Sequence, residues 1–205
     1  GEDVHAAGYQ LVYLFHGDPG GARANVTYTI TGDGKVEAAL KWKGKAVESV
    51  PEFGLMLTLP AEYRNVAYYG MGPGETYSDF TSGAHMGLFG FDAHTALQPY
   101  FNPQESGART GVQAAAVTDA AGFGLCLAGN GFMLSALPYT PHEVENARRQ
   151  YELPPKVKTV VRCAKGQLGV AGDNTWGAGP HAEYHVALEK GETFRFTFGG
   201  MGGNG

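Results

Sequence analysis

Charge is scarce in this sequence. Only 17% of its 205 residues are Asp, Glu, Lys or Arg, and the net charge is −5. A protein that grips nucleic acid or an anionic membrane needs a basic footprint, and none is written here. Cysteine is scarcer still. Cys126 and Cys163 stand alone without C-x-x-C spacing, so they read as small buried hydrophobes rather than as a redox pair or metal ligands. No run of about 18 apolar residues occurs, which excludes a spanning helix. The opening residues, GEDVHAAG, lack the basic-then-apolar pattern of a signal peptide. There is no G-x-S-x-G elbow, no P-loop and no dinucleotide fingerprint.

Glycine and aromatics are abundant. The chain has 32 Gly, 11 Tyr and 11 Phe, and 43% of it is hydrophobic. Glycine at turns with aromatics in strands is an all-β composition, with enough apolar mass for one sizeable core. Residues 9–15, 25–30, 35–42, 53–59 and 65–69 read as the first strands. Gly32-Asp33-Gly34 makes the clearest hairpin turn, between NVTYTI and KVEAALKW. Residues 70–107 read as a long irregular stretch, and so much loop inside a compact domain points to function or interface. Residues 111–117, 122–127 and 131–137 form a second strand set, with Gly129-Asn130-Gly131 as a turn. Residues 156–163, 181–188 and 193–198 close the fold.

A helix is expected over residues 140–150. Thr140 and Glu143 spell a capping box, Pro141 suits the first helical position, and Arg148 and Arg149 complement the dipole at the end. No internal repeat or linker divides the chain. The expected organisation is a disordered start over residues 1–8, whose Gly1 reads as a cloning remnant, one β domain over 9–198, and a flexible Gly-rich tail over 199–205.

Residues 168–184, LGVAGDNTWGAGPHAEY, place one of the two tryptophans in a turn between strand-like runs. An indole on an irregular segment offers a large flat apolar face, and sugars stack their C–H faces on such surfaces. The alternative is that Trp176 folds inward and plugs the end of a sandwich, because Trp is highly buried on average. His181 and His185 invite a metal reading. If HAEYHVAL is a strand, however, four residues span about 13 Å, and both rings cannot reach one zinc. Glu75, Asp79 and Glu105 share the long loop region. Two of them across a sugar would suit glycoside hydrolysis; otherwise they cap turns or pair with Arg109. His85 or His94 with Glu105 would suit a sugar epimerase.

Four ordered blocks carry a resemblance: 68–79 (YYGMGPGETYSD), 100–110 (YFNPQESGART), 135–147 (SALPYTPHEVENA) and 169–184 (GVAGDNTWGAGPHAEY). With FGLMLTLP at 53–60, the chain resembles the C-terminal domain, domain 5, of the large bacterial β-galactosidases of glycoside hydrolase family 2, often termed the small-chain domain. The resemblance covers about residues 9–198. It implies a large antiparallel β-sandwich, the supersandwich that is galactose mutarotase-like, with one short helix. It implies that terminal β-D-galactosides such as lactose are hydrolysed by two glutamates in an upstream TIM barrel. Such a barrel takes about 250 residues, so this chain is expected to hold no catalytic residue and to be inactive alone. No cofactor or metal is expected in it, the Mg and Na ions of the parent family being bound in other domains.

By the same resemblance Trp176 stacks on the sugar, chiefly on its aglycone side, and Asp173 and Asn174 shape the loop. These three are the expected substrate-binding residues. The implied partners are the galactoside, the upstream barrel and β domains, and further copies of an oligomeric parent, with no nucleic acid or membrane. The implied setting is soluble, in a bacterial cytoplasm or periplasm. The sequence departs from the family pattern at Asn174 (acidic in the pattern), Thr175 (Ser), Thr76 (Asn), Phe80 (Arg) and Ser106 (Asn). Those departures bear on which sugar fits. Two rival readings are a free-standing carbohydrate-binding module and the mutarotase-like epimerase.

Overall fold

The computed structural model describes residues 7–11, 24–174 and 176–202. Among these, twelve strands appear. The first seven are β1 (Ala7–Leu11), β2 (Ala24–Ile30), β3 (Lys35–Trp42), β4 (Val47–Val50), β5 (Glu52–Pro60), β6 (Asn65–Gly72) and β7 (His85–Asp92). The rest are β8 (Ala108–Thr118), β9 (Gly124–Leu137), β10 (Lys158–Gln167), β11 (Val186–Leu188) and β12 (Thr193–Met201). One short helix, α1 (Pro141–Asn146), follows β9.

The main sheet runs β1-β2-β3-β12-β9-β8-β6-β7, with β10 joining β9 to β5. All the pairings are antiparallel. Strand β9 does two jobs. Its first half pairs with β12, and Met133–Leu137 pairs with β10. Its last six residues are all buried, as expected of a strand covered on both faces. The fold is thus the expected all-β sandwich, folded about β9. Side chains of β3, β5, β6, β8, β9, β10 and β12 meet in one core that includes Trp42, Phe53, Tyr68, Val112, Phe132, Val161 and Phe196. Strand β6 shows the pleat at work: Val66 and Tyr68 point inward while Ala67 and Tyr69 face out.

Several expectations need correction. The stretch 70–107 is not all loop, because β6 continues to Gly72 and β7 pairs along its whole length. Gly70, Gly72 and Gly87 read as punctuation, yet they lie under bulky neighbours. A Cβ on Gly72 would come within 2.4 Å of the Tyr68 hydroxyl, and one on Gly87 within 2.7 Å of the Phe89 ring. Gly129-Asn130-Gly131 is no hairpin turn. It bends one continuous strand, at a place where the β8–β9 register shifts and Gly131 takes a positive φ. Gly199, Gly200 and Met201 are strand, paired with Cys126, Leu125 and Gly124, rather than tail. Likewise Ala7 and Gly8 begin β1. Residues 12–15 of the expected first strand and 203–205 of the tail lie outside the described residues. Cys163 is buried, but Cys126 is only half-buried and donates to the Gly199 carbonyl.

The helix forms where expected and stops early. Thr140 accepts from the Glu143 amide, and the Glu143 carboxylate accepts from the Thr140 amide at 2.7 Å. Lys158 also binds that carboxylate at 2.7 Å. At Ala147 the backbone turns extended, so Arg148 and Arg149 lie beyond the helix. Arg149 instead donates to Asn102 and covers the Phe101 ring at 4.3 Å. Thr140→Ala should lower stability by about 1 kcal/mol, the usual cost of a lost cap. The urea midpoint should fall while the slope stays constant; an unchanged midpoint would mean that the box contributes nothing.

Candidate functional site

The loop after β10 is held at its neck by backbone bonds. Leu168 donates to the Pro51 carbonyl at 2.9 Å, and Gly169 to the Tyr184 carbonyl at 3.1 Å. Gly172 lies so close to Ala178 that a Cβ would sit 1.9 Å from the Ala178 carbonyl oxygen. Only glycine permits that approach. Beyond the neck, the Asp173 carboxylate faces Nε2 of His181 at 2.9 Å, closing the loop from side to side. The Asn174 carboxamide oxygen accepts from the Trp176 amide at 2.8 Å, an Asx turn that sets the backbone of the tip. Gly177 then takes a φ of 103°, open to glycine alone at little cost.

Trp176 does not fold inward. Its side chain is 92% exposed, whereas Trp42 is 9% exposed, meets Phe53 edge-on and donates to the Lys45 carbonyl. The core plug is therefore Trp42, and the loop offers its indole to solvent. Asp173 and Asn174 shape the loop around it. Thr175 lies outside the described residues.

The three loop carboxylates sit apart from one another in function. Glu105 is bound by Arg162 at 2.6 Å and accepts from the Tyr77 hydroxyl at 3.0 Å. Glu75 accepts from the Gly107 amide at 2.6 Å and from Tyr100. Asp79 accepts from the Ala171 amide at 2.7 Å. None of them pairs with Arg109. That guanidinium lies 4.8 Å from the centre of the Phe91 ring and donates to its own neighbour, the Ala108 carbonyl. The cationic partner of Glu105 is Arg162 instead, which also donates to Glu52 at 2.6 Å. Burial opposes the charge on Arg162, but Glu105 and Glu52 together raise its pKa above the ordinary value. For Glu52 the balance reverses: burial outweighs Arg162, so its carboxyl is held above the usual range.

The histidines are also committed. His94 is buried, with Nε2 3.2 Å from both the Lys158 carbonyl and Thr159 Oγ1, and burial lowers its pKa. His85 packs edge-on against Phe89. Among the described residues neither meets Glu105, which leaves the acid–base pair of an epimerase unassembled. Residues 181–188 are not one strand: a 3₁₀ turn (Ala182–Tyr184) precedes the three-residue β11. His185 Nε2 lies 3.2 Å from the Pro180 carbonyl, and no metal-holding cluster occurs among the described residues.

A groove of about 1060 Å³ opens elsewhere, lined by Trp42, Phe53, Tyr139, Glu52, Glu105 and Arg162 among others, but by no residue of the Trp176 loop. Its charged groups already satisfy each other. His181 as the partner of Asp173 was missed in the sequence, although an Asp and a His eight apart across a Gly-rich turn could have suggested it. Arg162 and Glu52 left no such signal, since their meeting depends on strand pairing.

The beta galactosidase small chain family model matches residues 4–199. The chain belongs to the β-galactosidase small-chain family. Similar proteins include a β-galactosidase of Halalkalibacterium halodurans, 37% identical over 84% of this chain and 18% of its own length. A β-galactosidase of Streptococcus thermophilus is 35% identical over 84% of this chain and 17% of its own length. A β-galactosidase small subunit of Latilactobacillus sakei is 30% identical over 83% of this chain and 57% of its own length. This small-chain domain therefore spans less than a fifth of the two large relatives. No helix among its described residues is long and apolar enough to cross a membrane.

The His181–Asp173 pair carries a pH signature. The hydrogen bond and charge of Asp173 raise the His181 pKa above 6.5. A raised histidine pKa means that the latch is fully formed below the unfolded value, about 6.5, and is lost as pH rises through the higher folded value. Titration of His181 by NMR should give a pKa above that of a free histidine, and Asp173→Asn should return it to the ordinary range. Coincident curves would mean that the pair does not form in solution.

Proposed function

We propose that this small-chain domain supplies a sugar-stacking tryptophan to the active site of a larger β-galactosidase, whose catalytic carboxylates lie in an upstream barrel. The observation that carries the reading is the exposed Trp176 indole, held out on a loop by Asp173–His181 and by Asn174. A flat apolar ring held out in water is well suited to the C–H face of a galactoside or its aglycone. Asp173 and Asn174 act as loop-shaping neighbours of that surface. The loop carboxylates are occupied in holding backbone or Arg162, which fits a domain that binds rather than cleaves.

The larger partner is supported in two ways. The Latilactobacillus sakei relative is named a small subunit. Tyr69, Met86 and Leu88 also leave an exposed apolar strip along paired β6 and β7, a surface of the kind that docking covers. Parent substrates are terminal β-D-galactosides such as lactose, any metal ions sit in other domains, and the setting is a bacterial cytoplasm or periplasm.

Trp176→Ala in the assembled β-galactosidase should raise KM for lactose about five-fold, equivalent to losing ~1 kcal/mol of stacking. The kcat should change less, because stacking binds substrate and transition state alike. Unaltered KM for both lactose and a nitrophenyl galactoside would remove the role. Titration of the isolated chain with lactose should give no millimolar binding; saturable binding there would favour a free-standing module.

A further inference from the structure

Asp79 differs from the other carboxylates of its segment. Glu105 and Glu75 bind Arg162 and groups within residues 75–107. Asp79 reaches across to the Trp176 loop, where Oδ2 accepts from the Ala171 amide at 2.7 Å. The loop has made room for it. A Cβ on Gly169 would fall 2.5 Å from Oδ2 and 2.7 Å from Cγ of Asp79, so the carboxylate fills the space that a side chain at 169 would take. The adjacent Ser78 hydroxyl donates to the Tyr184 carbonyl at 3.4 Å, the same carbonyl that closes the loop neck through Gly169. The second Asp79 oxygen is buried without a hydrogen-bond partner among the described residues. Asp79 is therefore seated against the loop through Oδ2.

We infer that Asp79 is a positioning residue for Trp176. The indole is 92% exposed, and the hydrogen bond it has through its amide is internal to the loop. Its direction is inherited from the loop neck. Asp79 fixes that neck to the segment between β6 and β7, one side of which is the rigid hairpin against the core. The inference rests on the reading of Trp176 as a sugar platform.

Two experiments separate the inference from that reading. In the assembled β-galactosidase, Asp79→Ala should raise KM for lactose about five-fold, as Trp176→Ala does, with little change in kcat. In a Trp176→Ala background the same substitution should add nothing. Asp79→Asn keeps an acceptor oxygen and should restore most of the affinity, whereas Gly169→Ala should displace the carboxylate and reproduce the loss. A KM effect that persists undiminished without Trp176 would overturn the inference, since a general structural role predicts additivity. The second experiment is independent of activity: ¹⁹F NMR of the full chain labelled with 5-fluorotryptophan. Asp79→Ala, or Gly169→Ala if the first variant folds poorly, should narrow the Trp176 resonance and leave that of Trp42 unchanged. If Trp176→Ala leaves KM unaltered, the sugar reading fails. The NMR result then decides for or against Asp79 alone, an unchanged Trp176 line overturning the inference.

Discussion

Arg162 is the constraint on which the loop layer depends. It rises from β10, is nearly buried, and divides its guanidinium between Glu52 at the start of β5 and Glu105 in the segment before β8. Glu105 also accepts from Tyr77, whose oxygen in turn accepts from the Ala108 amide at 3.4 Å. Burial first, and then the negative charge of Glu105, push the Tyr77 hydroxyl far up, so it remains a donor. One cation thereby ties β5, β10, the β6–β7 connection and the entry to β8. A buried ion pair of this kind adds little over an apolar substitute, but removing one partner costs about 3–5 kcal/mol because charge is left stranded. Its consequence is a fixed arrangement of those loops, with Tyr77 also packed beside Ala108, Met133 and Ala164.

That arrangement gives the carboxylates of the loop layer structural work, with no acid–base pair assembled among the described residues. Each of the three loop carboxylates holds something in place: Glu105 the Arg162 node, Glu75 the Gly107 turn, and Asp79 the neck of the Trp176 loop. The sandwich supplies rigidity through Trp42, Phe132 and Phe196, and the loops convert it into the position of one exposed ring. Two substitutions relative to the family pattern fit the same picture. Thr76 is buried and accepts from both the amide and the hydroxyl of Thr110, and Ser106 accepts from the Gln98 amide. Both are buried inside the loop layer.

Much of this was legible in residue order. The β2–β3 hairpin follows its alternation and its Gly-Asp-Gly turn, and the capping box of α1 forms as spelled. The motif blocks led to the correct family. What stayed hidden was set by tertiary contact. Strand β7 was lost because His85-Met86-Gly87-Leu88-Phe89-Gly90 reads as broken by glycine, while Gly87 is small to admit Phe89. The Gly129-Asn130-Gly131 bend looked like a turn because glycine marks both turns and bulges. Trp176 could be read as buried or exposed, and the choice turned on Trp42 filling the core. Arg109 was open to pairing with Glu75, Asp79 or Glu105, but its guanidinium lies over Phe91 and donates to the Ala108 carbonyl.

Arg162 organises the loop layer from which Trp176 extends. Hydrogen–deuterium exchange of the chain with Arg162→Met tests it most directly. The predicted result is faster exchange at the amides of Gly107, Ala108 and Ala171, with the β3 and β12 amides still protected. Equal protection at those three amides in both proteins would contradict the claim and place the organising contact elsewhere.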